Sequence, residues 1–276
     1  PNDLHQKLEK LIRANTVPLL PRTMFHARGV FSGSLASKPL RRTCVQLHLK
    51  TFSSSASSTD VLSVPERAYL KLTGKDTKKF LQGVTTNDMD LLKARGDCLA
   101  TVFLTPKGRV LSDALIYDIT EATAEPDAVS EPAVLVETHA STHTAVAQFL
   151  SMYRLRAKVK IHTAAHYRTD VALQAEAAEG GATQAGEELV ASVADPRHAC
   201  LGRRLLYSTP SSSAVDADTH TQEDIDGYTR YRLLQGLAEG AELEGRVPLE
   251  ANLDLLGYIS FTKGCYVGQE LVARYV

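Results

Sequence analysis

A β-hairpin constrains the fold of this chain more than any other feature of its sequence. Residues 98–104 and 109–119 are both rich in apolar and β-branched side chains, and only Thr105-Pro106-Lys107-Gly108 separates them. Proline and glycine in such a short connection are typical of a tight turn. The two runs are therefore predicted to pair as antiparallel strands.

Strand and helix patterns around this hairpin predict an α+β domain. Further strands are expected at 68–72, 133–137 and 158–162. One helix is expected to start near Asp76, its N-cap, and to carry Phe80, Leu81 and Val84 on one face. A second is indicated by Val146, Phe149, Leu150 and Tyr153, at i, i+3, i+4 and i+7. The order strand–helix–strand–strand–helix–strand is typical of the split βαβ pattern of ferredoxin-like domains.

The second half of the chain is less regular. Strands are predicted at 171–174 and 205–207, with a Gly/Ala/Glu-rich segment at 175–188 between them and a Ser-rich loop at 208–218. A helix is predicted over 223–238 and is expected to end at Gly240. Residues 248–256 are expected to be irregular, a short strand is expected at 258–261, and a last helix from Glu270. The residues predicted to face inward from the helix over 223–238 are Ile225, Tyr228, Tyr231 and Leu234.

Length and charge limit the class of protein. The 276 residues suffice for two modest domains, which we place at 63–165 and 166–276. Residues 1–59 hold nine Lys/Arg and two acids, a net of +7, which leaves 22 basic and 30 acidic residues, a net of −8, in the remainder. An acidic globular part argues against nucleic acid as a partner. No apolar run is long enough for a membrane span.

The basic N-terminal region has the composition of a targeting segment. Residues 24–60 are rich in Arg and Ser and free of acids before Asp60, as expected of a mitochondrial transit peptide and hence of a protein of the mitochondrial matrix. Plastid import and a basic nucleic-acid arm are the alternatives. Residues 1–23 precede Met24 and are interpreted as a gene-model extension or a disordered segment.

One cysteine stands out among four. Cys44, Cys98 and Cys200 are widely spaced, and Cys98 and Cys200 fall in expected strands, so no disulfide framework and no autonomous metal site is predicted. Cys265 lies in the octapeptide KGCYVGQE at residues 263–270. Lys263 is expected to stabilise a thiolate there. The residues predicted to shape or fix the loop around it are Gly264, Tyr266, Gly268, Gln269 and Glu270.

For Cys265 and Asp113, a purely structural interpretation remains as an alternative to the functional one. A single cysteine is more often a small buried side chain than a reactive one. Asp113 is a charge within the apolar run VLSDAL, and charges in strands usually face solvent. If it points into a cleft instead, it is a candidate for binding a polar heterocycle.

The octapeptide carries a resemblance to a known family. With PLEANLD at 248–254, it closely resembles the signature of the YgfZ branch of the folate-binding GcvT-like family. Other stretches match that family in order, over most of the chain from about residue 63: FLQG at 80–83, TND at 86–88, TPKGR at 105–109, DPR at 195–197, LG at 201–202, YR at 231–232 and GLAEG at 236–240. With its leader, the chain resembles the mitochondrial Iba-type iron–sulfur cluster assembly factors of this branch.

This resemblance implies a fold and a role. The fold is two interleaved ferredoxin-like domains around a central cleft, with the family's C-terminal barrel missing or truncated because the sequence stops at Val276. The role is maturation of [4Fe–4S] proteins, namely aconitase-type enzymes, lipoate synthase and other radical-SAM enzymes, together with A-type scaffold proteins. Cys265 would be the metal ligand. The residues that would hold tetrahydrofolate are Asp113, Asn87 and Arg109.

Three hypotheses follow. Since a cluster needs about four ligands and Cys265 offers one, the first is a non-enzymatic assembly factor that shares a [2Fe–2S] cluster with a partner. The second is a tetrahydrofolate-dependent one-carbon or aminomethyl transferase, or a folate-binding module. The related aminomethyltransferases carry two adjacent acids where this chain has Ser112-Asp113, which counts against transfer but not against pterin binding. A thiol-transfer protein ranks last, because no second cysteine is near to resolve a mixed disulfide.

Overall fold

The computed structural model describes residues 61–121, 131–173, 186–209 and 222–275, apart from the side chains of residues 199 and 222–225. The predicted extension at 1–23, the leader at 24–60, most of the segment 175–188 and of the Ser-rich loop 208–218, and the side chain of Ile225 lie outside the described residues. The described residues all fall within one compact unit, Leu49–Val276.

Thirteen helices and strands make up the described part of the chain. They are β1 Val61–Ser63, β2 Arg67–Thr73, α1 Thr77–Val84, β3 Cys98–Leu104, β4 Val110–Asp118, β5 Ala133–His139, α2 Ala140–Tyr153, β6 Lys160–Thr163, β7 Tyr167–Ala172, β8 Glu188–Ala194, β9 Arg203–Ser208, α3 Gln222–Leu234 and α4 Gln269–Arg274. Single 3₁₀ turns add Met89–Leu91, Ala199–Leu201, Gly240–Glu242 and Pro248–Ala251.

Five strands form the larger sheet, in the order β3–β4–β5–β2–β6. The predicted hairpin is confirmed, because β3 and β4 pair antiparallel from Cys98 opposite Tyr117 to Leu104 opposite Val110. β5 and β6 are both antiparallel to β2, which lies between them, so they run parallel to each other and α2 connects them. This is a split βαβ unit. The hairpin adds β3 as a fifth strand at the edge.

Four strands form the smaller sheet, in the order β1–β7–β9–β8, and all its pairs are antiparallel. β1 precedes β2 in the chain but pairs with β7, so the two sheets share the N-terminal stretch of the described residues. β8 was not predicted, because its residues are mostly half-buried or exposed and lack the alternation of a strand with one buried face. The mixed α+β class is confirmed.

Apolar side chains fill the space on both faces of the larger sheet. Leu70 and Leu72 of β2 pack with Leu81 of α1 and Leu150 of α2 on one face. Tyr69 of the same strand belongs to a second buried cluster that also includes Leu206 and Tyr258. Successive strand residues point to opposite faces, so β2 contributes to two cores at once. Fully burying one such leucine stabilises the fold by about 1.5–3 kcal/mol.

Helix α3 corrects one prediction. It ends at Leu234 instead of Ala238, because Gly236 takes a left-handed conformation (φ 74) just past its end. The Leu237 N–H donates to the Arg232 carbonyl at 2.9 Å, which closes the helix as a Schellman motif does. Leu234 was expected to face inward, but it is 58% exposed, whereas Tyr228 is buried as expected. Gly240 starts a 3₁₀ turn and does not end the helix.

Other boundaries also differ from the prediction. Residues 258–261 form no strand, because their hydrogen bonds go to separate segments and not to one neighbouring strand. Cys200 lies in the 3₁₀ turn Ala199–Leu201 and not in a strand. Asp76 occupies the N-cap of α1, but its carboxylate accepts the Lys158 N–H at 2.8 Å and makes no bond to the helix. In the described part of the chain, no helix is long and apolar enough to cross a membrane.

Candidate functional site

Cys265 stands on an exposed dipeptide between two buried anchors. Lys263 and Tyr266 are both 8% exposed, whereas Gly264 and Cys265 are exposed. The Tyr266 ring belongs to the core cluster between the two sheets. Since the residues on both sides are fixed in the protein, the thiol is presented to solvent on a short, well-held loop. The alternative of a small buried cysteine is thereby excluded for Cys265.

The ammonium group of Lys263 holds the loop against the end of helix α1. Its Nζ donates to the carbonyl oxygens of Gln82, Thr85 and Asn87 at 2.7, 2.7 and 2.9 Å. An ammonium has three N–H donors, so all of them are used. Burial lowers the pKa of Lys263 to about 8, and the nearby carboxylate of Asp88 opposes that shift. Lys263 therefore anchors the loop, and no donor remains for the thiolate that it was expected to stabilise.

Backbone contacts align the segment before the cysteine with the residues that follow α1. The Ser260 N–H donates to the Thr86 carbonyl at 3.0 Å, and the Thr86 hydroxyl donates to the Tyr258 carbonyl at 2.7 Å. The Asn87 amide donates to the Gly257 carbonyl at 2.8 Å. The neighbouring stretches FLQG and TND therefore meet KGCYVGQE, which is far from both in sequence.

Two glycines join the Cys265 loop to the β3–β4 turn. Gly108 and Gly268 both have left-handed backbones, with φ of 75 and 80. A Cβ at Gly268 would lie 2.5 Å from the Thr105 carbonyl oxygen, and one at Gly108 would lie 2.9 Å from the Gly268 carbonyl oxygen. Only glycine allows this approach at these backbone angles. Gly264 differs, because a Cβ there would have no atom within 4 Å.

Gln269 and Glu270 open helix α4 directly after this contact. The Gln269 N–H donates to the Tyr266 carbonyl at 3.3 Å, which closes the turn that follows the cysteine. Glu270 is exposed in the first turn, where a carboxylate is favourable for the helix.

The three residues assigned to tetrahydrofolate do not share one surface. Asn87 is buried, and its amide donates to the carbonyls of Ala100 and Gly257. Arg109 is exposed beside the hairpin turn. Asp113 is 1% exposed, and its Oδ1 accepts the Gly240 N–H at 2.8 Å. Burial raises the pKa of Asp113, against the opposing effect of Arg67.

Asp113 borders a buried network of charged groups between the sheets. Glu137 of β5 accepts from Arg67 at 2.7 Å, from Arg204 at 2.5 Å and from the Tyr117 hydroxyl at 2.9 Å. Burial alone would raise the pKa of Glu137, but Arg204 and Arg67 hold it below its ordinary value. Sequence reasoning noticed Asp113 and missed Glu137, although both are charges within apolar strands.

The network continues to the segment that follows α3. Glu239 pairs with Arg197, accepts the Tyr228 hydroxyl at 2.8 Å and lies 3.5 Å from Arg67. Burial would raise its pKa, but Arg197 and Arg67 hold it well below the ordinary value. Asp195 bonds the guanidinium of Arg197 at 2.7 and 2.8 Å. The sequence stretches DPR and GLAEG therefore meet here.

The remaining described cysteines differ from Cys265. Cys98 and Cys200 are both half-buried free thiols. Burial raises the pKa of the Cys98 thiol far above its ordinary value, so it stays protonated. No group of three or more His, Cys, Asp and Glu residues is placed to hold a metal ion within the described ranges. Among the cysteines of the described residues, only Cys265 is exposed.

Several known proteins are similar in sequence to this chain. No protein-family model matches it. Curated proteins do, and those to which the chain is similar are named mitochondrial iron–sulfur cluster assembly factors, which confirms the resemblance drawn from the octapeptide. The relatives are named iron–sulfur cluster assembly factor IBA57. The fungal protein of Aspergillus fumigatus is 31% identical over 282 aligned positions, covering 92% of this chain and 63% of that protein.

Two mammalian relatives carry the same name as the fungal protein. The mouse protein is 33% identical over 222 positions and the human protein 34% over 221, and each alignment covers 75% of this chain and 60% of the relative. This chain thus spans about three fifths of the length of these relatives. All three are named mitochondrial, which confirms the predicted location in the mitochondrion.

Solved structures were also compared with this chain. The aminomethyltransferase T of the glycine cleavage system from Bartonella henselae matches with a TM-score of 0.48 and 12% identity, over 78% of this chain and 62% of that one. A likeness at this level decides nothing about the function of the chain.

Proposed function

We propose that this protein is a mitochondrial iron–sulfur cluster assembly factor in which Cys265 supplies one ligand to a cluster completed by a partner. The observation that carries the proposal is the exposed Gly264-Cys265 dipeptide held between the buried Lys263 and Tyr266. A thiol that must enter a coordination sphere built largely by another protein has to protrude and to keep one position. This loop provides both properties.

The donor set favours sharing over independent binding. A cluster takes about four thiolate-type ligands, and the described residues place one exposed thiol at this site. The complementary partner is therefore a cysteine-rich scaffold of the A-type, and the shared species a [2Fe–2S] cluster carried as cargo. The clients are [4Fe–4S] enzymes of the mitochondrial matrix, namely aconitase-type enzymes, lipoate synthase and other radical-SAM enzymes. The named function of the relatives supports the general role.

The test is reconstitution with an A-type scaffold protein under anaerobic conditions. Mixing the two proteins with iron and sulfide should give a visible absorption and circular dichroism spectrum that neither protein gives alone. The Cys265→Ala variant should lose that spectrum, whereas Cys200→Ala, which removes a half-buried thiol, should keep it. A spectrum that is the same for Cys265→Ala and the unmodified chain would contradict the ligand role.

Binding of tetrahydrofolate is the alternative, and one observation favours it. Arg67 Nη2 is buried without a hydrogen-bond partner, and Arg67 interacts electrostatically with Asp113. Such buried orphan groups call for a ligand or water to satisfy them. A pterin would have to displace the Gly240 contact of Asp113 to enter. Titration calorimetry with tetrahydrofolate tests this alternative. The Asp113→Asn variant should bind tetrahydrofolate more weakly than the unmodified chain. Binding followed by turnover of an aminomethyl donor would favour a transferase, and binding without turnover a folate-binding module.

A further inference from the structure

A basic bowl lies at the end of helix α1 that is opposite to the Cys265 loop. It is lined by Gly74, Lys75, Glu131 and residues 154–160, and its volume is about 470 Å³. The loop holds Gln82 and Gly83 at the C-terminal end of α1, whereas Gly74 and Lys75 directly precede its N-terminal end. The eight residues of α1 span about 12 Å. The bowl is therefore a separate surface.

The charge of the bowl is opposite in sign to the net charge of the chain from residue 60 onward. Its lining contains five basic side chains and one acid, a net of +4, and Asp76 lies beside it. The chain from residue 60 onward has a net charge of −8. The basic residues are exposed and spread around one concavity, so an incoming anion can contact several of them together. They are Lys75, Arg154, Arg156, Lys158 and Lys160.

The backbone below these side chains is rigidly built. Gly74 is in a left-handed region (φ 131), and a Cβ there would collide with the Lys158 carbonyl. The Lys158 N–H is bound by the Asp76 carboxylate at 2.8 Å, and the Arg154 guanidinium donates to the Val159 carbonyl at 3.4 Å. The charges are thus displayed on a fixed frame.

Leu155 is the second, independent observation. It follows the C-cap of α2 in a left-handed conformation (φ 44), at the position where glycine is usual. A leucine in that conformation is strained, and such strain at an exposed position points to a use for the side chain. Leu155 is 85% exposed and Met152 is 65% exposed, so neither gains much burial within the protein.

We propose that this bowl, together with the exposed side chains of Leu155 and Met152, forms a docking surface for an anionic phospholipid membrane. Clustered Lys and Arg bind lipid phosphates, and apolar side chains that stand out among them enter the interface between headgroups and acyl chains. A soluble phosphate would use the charges but not Leu155 and Met152. A membrane surface uses both, and it needs no membrane-spanning helix.

The first test places a fluorescent reporter on the surface. The chain contains no tryptophan, so Leu155→Trp introduces a single one, and Leu189→Trp on strand β8 is the matched control at another exposed leucine. Vesicles of phosphatidylcholine with cardiolipin should shift the emission of the Leu155→Trp variant to the blue, and vesicles of phosphatidylcholine alone should not. The basic leader can bring every variant onto anionic vesicles, but it cannot insert position 155. Cosedimentation without a shift in the Leu155→Trp variant, or an equal shift in Leu189→Trp, would overturn the proposal.

The second test separates local charge from net charge. The double variant Arg156→Glu/Lys160→Glu should lower the partition onto cardiolipin vesicles at least about tenfold, because each basic residue near an anionic surface favours binding. Lys93→Glu/Lys107→Glu changes the net charge equally at exposed positions outside the bowl and should cost far less. Equal losses in the two double variants would contradict a specific surface.

A third experiment distinguishes a lipid from a soluble phosphate as the ligand of the bowl. At low concentration, inorganic pyrophosphate should neither raise the midpoint temperature of thermal unfolding of the protein nor compete with the vesicles for binding. If pyrophosphate stabilises the unmodified chain but not Arg156→Glu/Lys160→Glu, while vesicles give no blue shift, the bowl binds soluble phosphates and the membrane proposal is wrong. Leu155→Gly should weaken vesicle binding without lowering the thermal midpoint, since glycine relieves the left-handed strain.

Discussion

Replacing Lys263 by methionine is the most direct way to test how the Cys265 loop is held. Methionine keeps the apolar stem of the side chain and removes the three donors to Gln82, Thr85 and Asn87. Each buried carbonyl left without a partner costs about 1–3 kcal/mol. Water can reach part of this site and the buried charge is no longer present, which offsets part of the loss. We expect the free energy of unfolding to fall by about 2–3 kcal/mol.

Two measurements separate a loosened loop from a general loss of stability. Urea unfolding should give a lower midpoint with an unchanged slope. Hydrogen exchange should accelerate most at the Ser260 and Val267 amides, which are bonded to the Thr86 and Gly83 carbonyls beside the lysine. The loop should thus become mobile before the rest of the fold.

The control is Lys107→Met, which removes an exposed lysine from the adjacent hairpin turn. It should change the free energy of unfolding by less than about 0.5 kcal/mol. Lys263→Arg should rescue little, because a planar guanidinium does not match three acceptors around one compact ammonium. A Lys263→Met variant as stable as Lys107→Met, with the exchange of Ser260 and Val267 unaltered, would refute the anchoring role.

Further predictions concern the glycines and the buried acids. Gly268→Ala should destabilise the protein by about 2–4 kcal/mol through the left-handed backbone and the collision with the hairpin turn. Gly264→Ala, where a Cβ meets nothing within 4 Å, should be nearly neutral in the same urea experiment; equal losses would contradict this packing. The pKa values of Glu137 and Glu239 are held low in the folded protein, so their stabilisation is present above about pH 4.5 and is lost as the pH falls further. The raised pKa of Asp113 acts in the opposite sense and offsets part of that loss. The urea midpoint should therefore decrease from about pH 5 toward pH 3, and a flat profile would contradict this reading of the network.

The parts of the fold that the sequence predicted well are those with strong local patterns. The β3–β4 hairpin has two apolar runs and a turn with proline and glycine, and its strand limits are nearly those expected. Helix α2 shows the expected buried face with Val146, Phe149 and Leu150. Strand β8 and the end of α3 were missed, because the first has a weak pattern and the second depends on Gly236, four residues before the glycine that was expected to end the helix.

The sequence singled out Cys265 as a candidate but did not indicate how its loop is held. Cys265 was singled out from its neighbours, and its exposure agrees with that choice. The partners of Lys263 are main-chain carbonyls 176 to 181 residues earlier in the chain, and no local pattern points to them. The same applies to Arg67 and Glu137, whose pairing depends on the register of β2 and β5. Contacts of this kind depend on tertiary structure.

The anchoring of Lys263 has a consequence for how the loop tolerates sequence change. Its three acceptors are backbone oxygens, so the lysine recognises the shape of the chain after helix α1 and not the side chains that stand there. The side chains there serve other contacts: Gln82 donates to the Asp88 carboxylate and accepts the Met89 N–H, and Asn87 donates to the carbonyls of Ala100 and Gly257. Lys263 itself has no substitute that places three donors in one small volume. A change at Gln82 or Asn87 therefore acts through those side-chain contacts and leaves the oxygens that Lys263 uses in place, whereas a change at Lys263 removes all three bonds of the contact at once.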